Sequence, residues 1–70
     1  MDIYRMEREA QDRAVNNESI DFVIVGGPNG PVNAKWLDAY FGLIQIDGHD
    51  SFIMTKQIAA MDHLDFKWPE

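Results

Sequence analysis

Asp47-Gly48 separates two apolar runs, residues 39–46 and 51–55, and a tight antiparallel hairpin is the arrangement that best fits this pattern. A two-residue type I′ turn needs positive φ at both central positions, and Asp-Gly provides it at little steric cost. Upstream, Gly26-Gly27-Pro28-Asn29-Gly30-Pro31 separates residues 20–25 from residues 32–37 in the same way. The segment IDFVIV is rich in β-branched and aromatic residues, with Ile20, Phe22 and Ile24 on one face and Val23 and Val25 on the other, which suggests burial on both sides. Pro31 stands at the start of the next strand, where a missing N–H is tolerated. The Gly-rich segment has no Gly-Lys-Ser/Thr leading into a helix and no GxGxxG spacing, so it reads as a turn and not a phosphate cradle.

Around these hairpins the rest of the chain falls into place. Residues 2–15 read as a helix with Asp2 as N-cap and Ile3, Met6, Ala10 and Ala14 as its apolar stripe. Arg5–Glu9 and Arg8–Asp12 are spaced one turn apart on its outer side. Asn16-Asn17 reads as the stop. Residues 57–60 suit a single 3₁₀ turn, and residues 61–66 alternate as a fifth strand, followed by a tail at 67–70. The expected fold is one mainly β domain over residues 1–70. An N-terminal α-helix precedes a five-stranded, strongly bent antiparallel barrel over residues 20–66. Oligonucleotide-binding and SH3-like barrels share that strand count; the leading helix and the single turn between the last two strands favour the SH3-like order.

Composition narrows the function. With 70 residues, a thin core and no cysteine, disulfides and thiolate metal sites are excluded, and self-association is the expected reinforcement. No apolar run is long enough to span a membrane and the N-terminus is unlike a signal peptide, so the expectation is a cytoplasmic protein without a membrane partner. The net charge of −6, from six Lys and Arg against twelve Asp and Glu, disfavours broad phosphate binding and requires any nucleic-acid site to be local. No nucleophile sits with a base in a catalytic pattern, so no enzyme is expected. His49 between Asp47 and Asp50, and His63 between Asp62 and Asp65, read as turn residues on alternating strand faces; neither a metal site nor a cofactor is expected.

Residues 36–61 carry a family resemblance. Leu37-Asp38-Ala39-Tyr40, preceded by Trp36 and followed by Phe41, Leu43 and Ile44, is similar to the end of the first motif of the Sm-like family. Asp47-Gly48-His49 occurs in the hairpin of its bacterial Hfq branch, and the segment from Phe52 to Met61 resembles the second motif. About 45 residues, 20 to 64, are covered. The resemblance implies an Sm-fold barrel that assembles into a homo-oligomeric ring of about five to seven subunits. It further implies single-stranded RNA at the pore. Tyr40 stands at the family's base-stacking position with Asp38 beside it, and Lys56 is the cation that remains where the Hfq branch carries Tyr-Lys-His; Met54-Thr55-Lys56 stand there in this chain. Ring closure pairs the fourth strand of one subunit with the fifth of the next, which makes Phe52, Met54, Met61, His63 and Leu64 the expected interface. The alternative is an acidic SH3-like module that binds a protein partner and no RNA.

Overall fold

A computed structural model describes residues 2–14, 18–28 and 30–69. Helix α1 (Ile3–Arg13) begins at Asp2, whose Oδ1 accepts the Tyr4 N–H at 2.7 Å. This cap satisfies one of the donors that every helix start leaves open. Ile3, Met6 and Ala10 are buried on one side, as the spacing requires, and Arg5 pairs with Glu9 at 3.8 Å on the other. The helix ends at Ala14, whose N–H returns to the Ala10 carbonyl. The expected stop at Asn16-Asn17 lies outside the described residues.

Five strands follow: β1 (Ile20–Val25), β2 (Val32–Asp38), β3 (Leu43–Ile46), β4 (Phe52–Met54) and β5 (Asp65–Lys67). Helix α2 (Thr55–Ala59) connects β4 to the segment before β5. All pairings are antiparallel, in the order β4-β3-β2-β1-β5. The fold is therefore mainly β with a leading helix, as expected, but the sheet is open. β4 and β5 lie at its two ends without pairing to each other, so what the structure shows of the expected strongly bent barrel is a five-stranded antiparallel sheet that is not closed.

Register explains the core. Ile20, Trp36, Ile44 and Ile53 lie across from one another, as do Phe22, Ala34 and Ile46, with Phe66 beside Ile24. This face joins Ile3, Met6 and Ala10 of α1 and Ile58 of α2 in one cluster. Trp36 is its centre: fully buried, stacked on Phe22 at 4.0 Å between ring centroids and tilted against Trp68 at 6.2 Å. The opposite face carries Asp21, Lys35 and Gln45 in one row, with Asp21 and Lys35 paired at 3.7 Å.

Three boundaries differ from expectation, each for a local reason. The strand expected over residues 39–46 begins at Leu43, because Asp38 folds residues 39–42 into a turn. The expected 3₁₀ turn is α-helix α2, opened by Gln57 Oε1 accepting the Met54 N–H at 2.6 Å. The fifth strand is Asp65–Lys67 and not residues 61–66, because Met61 and Leu64 N–H close successive turns onto Ile58 and Met61 carbonyls. Lys67 thus belongs to the sheet and not to a tail. Trp68 is also held: its Nε1–H donates to Glu9 at 2.9 Å and Arg13 lies 4.1 Å from its ring centroid. Neither helix is long and apolar enough to cross a membrane.

Candidate nucleic-acid interface

The β2–β3 turn is built from its first residue outward. Asp38 Oδ1 accepts the N–H groups of both Tyr40 (3.0 Å) and Phe41 (3.2 Å), the side-chain turn that Asp forms readily. Asp38 therefore braces the loop, and its contribution to a site is through the position of its neighbours. Gln11 of α1 holds the turn from the other side, its Nε2 donating to the Ala39 carbonyl at 3.0 Å. The Tyr40 hydroxyl in turn donates to the Gln11 carbonyl at 3.3 Å. Tyr40 nevertheless keeps 62% of its surface in solvent, and Phe41 keeps 77%.

Gly42 closes the turn and joins it to α2. Its φ of +69° lies in the left-handed region that glycine enters freely. The Gly42 carbonyl accepts the Thr55 N–H at 2.9 Å, so Thr55 and its neighbour Lys56 start α2 directly beside the aromatic turn. Among the described residues, Thr55 is the buried polar one in the core. Its hydroxyl oxygen accepts the Trp36 Nε1–H at 3.1 Å and its proton faces the Glu7 carboxylate and the Gly42 carbonyl. Helix α1, the core tryptophan, the turn and α2 thus meet at one hydroxyl. Lys56 itself is exposed, and among the described residues no ion pair involves it.

Topology separates the charges. The β1–β2 turn and the β3–β4 hairpin lie at one end of the sheet, and the β2–β3 turn at the other. Asp65 pairs with Val25, and a Cβ on Gly26 would come within 2.8 Å of the His63 carbonyl, so the segment before β5 belongs to the first end. That end collects Asp47, Asp50, Asp62 and Asp65 together with exposed His49 and His63. Helix α1 is neutral, with Arg5, Arg8 and Arg13 against Glu7, Glu9 and Asp12, so the −6 charge comes from the rest of the chain. The aromatic turn has Lys56 beside it, together with Asp38 and Glu7, which are hydrogen-bonded within the fold, and Glu18. A cleft of about 470 Å³ lies instead near Asp2, Tyr4, Met61, Asp62 and Asp65. The Tyr40 turn is a presenting surface, which suits stacking and not enclosure of a small molecule.

The sequence-derived interface residues divide into two groups. Phe52 and Met54 lie on edge strand β4, exposed and half-buried respectively, with their side chains on the face opposite the core. Met61 and His63 are exposed but lie before the strand, and Leu64 is half-buried against the core. The strand that ends the sheet is therefore Asp65–Lys67, in place of Met61, His63 and Leu64, and within it Phe66 is buried with its N–H donating to Asp65 Oδ1 at 2.9 Å. Reading the sequence also missed Phe41 as a presented residue; its place one residue after Tyr40, ahead of a glycine, was the available signal. Comparison of the chain with protein-family models, curated protein sequences and solved structures returns no match.

Proposed function

We propose that this chain is an Sm-like assembly protein that forms a homo-oligomeric ring and binds single-stranded RNA at the end carrying Tyr40 and Lys56. One observation supports assembly above all: among the described residues the sheet is open, with the three-residue strands β4 and β5 as its two ends. A strand at the end of a sheet is a template for a further strand, and joining one copy's β4 to the next copy's β5 extends the sheet from one protomer to the next. Such head-to-tail contacts stop only when the rotation closes, which gives a ring. The same step buries surface that a 70-residue chain lacks within itself.

RNA binding rests on the exposed Tyr40 ring, the rigid turn beneath it and the adjacent Lys56. Stacking of a base on an aromatic ring contributes about 1–3 kcal/mol, so Tyr40→Ala is expected to weaken binding of a short uridine-rich oligonucleotide by about that amount. Lys56→Ala should weaken it and flatten its salt dependence, because one phosphate contact per protomer is lost. Fluorescence anisotropy at several salt concentrations reads both. Absence of binding to poly-U and poly-A at low salt sinks the RNA part. The net charge of −6 favours a second reading, an acidic module for a protein partner. A pull-down recovering the same proteins with and without nuclease, and no RNA, supports that reading over the first.

A further inference from the structure

We infer that Phe41 is a second stacking platform beside Tyr40, so that each protomer holds two successive bases of one strand. The inference rests on the RNA-binding reading above and extends it. Phe41 is 77% exposed, the most exposed large apolar side chain of the described residues, and it lies on a turn and not within an apolar face. Its backbone is fixed on both sides: Asp38 takes its N–H, and the following Gly42 is tied to Thr55. A backbone held this way need not be ordered further when a base covers the ring. Among the described residues no ring contact joins Tyr40 to Phe41, so each keeps a separate surface. Lys56 is adjacent through Thr55 and supplies a cation at this end, where Asp38 is held by turn N–H groups, Glu7 by the Thr55 hydroxyl, and Glu18 lies near Tyr40; Asp47, Asp50, Asp62 and Asp65 lie at the other end of the sheet.

The test compares the wild-type protein with Phe41→Ala, Phe41→Leu, Phe41→Trp and Tyr40→Ala, using labelled uridine oligomers of increasing length. Phe41→Ala and Phe41→Leu are expected to lose roughly 5- to 150-fold in affinity, the range a stacked base represents. Phe41→Trp should keep or improve binding, and the loss should be absent for a single nucleotide held at Tyr40. Phe41 is exposed, so unchanged thermal melts are expected to show that all variants fold. If Tyr40→Ala weakens binding while both Phe41 variants match wild type, the second platform is overturned and the Tyr40 site stands. If Phe41→Ala changes the mass of the assembly instead of its RNA affinity, Phe41 is a subunit contact and the inference is overturned. If the wild-type protein binds no oligomer, the RNA reading itself fails, and the inference with it.

Discussion

Trp36→Ala is expected to lower stability by about 3–5 kcal/mol, the cost of emptying a large aromatic site in a packed core. At about 0.05–0.15 kcal/mol per residue, a chain of this length holds only about 4–10 kcal/mol in total, so this variant should be largely unfolded or close to it. Three separate losses contribute. The ring is fully buried, it stacks on Phe22 and leans on Trp68, and its N–H is the donor that the Thr55 hydroxyl accepts. Trp36→Phe separates them by keeping an aromatic stack while removing the donor, and should cost about 1–2 kcal/mol from the lost hydrogen bond and volume. Urea or thermal melts at fixed protein concentration read the difference, since association makes stability concentration-dependent. A Trp36→Ala protein melting within a few degrees of wild type contradicts the core assignment.

Gly42→Ala in the β2–β3 turn should cost about 2–3 kcal/mol, or roughly 10–20 °C in melting temperature. Two effects add. A side chain at positive φ costs about 1–2 kcal/mol. The new Cβ would also lie 2.9 Å from both Glu7 Oε2 and Thr55 Oγ1. Glu7 is long enough to swing away, but Thr55 is short, buried and held by Trp36, so the turn must move. Gly48 is the internal control. Its φ is +73°, yet nothing lies within 4 Å of a Cβ there. Gly48→Ala should therefore cost only the backbone part. Equal melting temperatures for the two variants would mean that the Glu7–Thr55–Gly42 junction contributes nothing.

Where local chemistry decides, the sequence was a good guide to this fold. Ile20–Val25 is a strand, though Val23 and Val25 are half-buried where burial on both sides was expected; Asp2 caps α1, and the Asp47-Gly48 turn has φ of 47° and 73° with His49 N–H returning to Ile46. The hairpin nevertheless pairs only from Gln45 and Phe52, so its loop is longer than two residues. Apolar patterning overextended the strands at residues 39–42 and 61–64. There a single polar contact or a pair of backbone turns outweighs β propensity, and neither leaves a periodic trace. Sheet closure is a matter of global curvature, which five short apolar runs do not encode. The contacts that tie the ends together join distant residues: Glu9 to Trp68, and Glu7 to Thr55. Such pairs become visible only when the topology is known.

The candidate site was legible in part. Tyr40 and Lys56 were selected from the sequence, and the Gly42–Thr55 hydrogen bond brings their segments together. Asp38 was selected as well, but both of its contacts to the turn are to backbone N–H groups. The charge separation was not legible, because total charge carries no information about which turns share an end of the sheet. It depends on β5 placing Asp65 beside Val25.

The central claim is that this sheet is completed by copies of itself, and the mass of the wild-type protein in solution tests it most directly. Size-exclusion chromatography with multi-angle light scattering, at protein concentrations spanning two orders of magnitude, should give about five to seven times the 8.0 kDa chain mass as a single discrete species. A clean 8.0 kDa monomer across that range would contradict the account, because β4 and β5 would then end the sheet with no second copy joined to either.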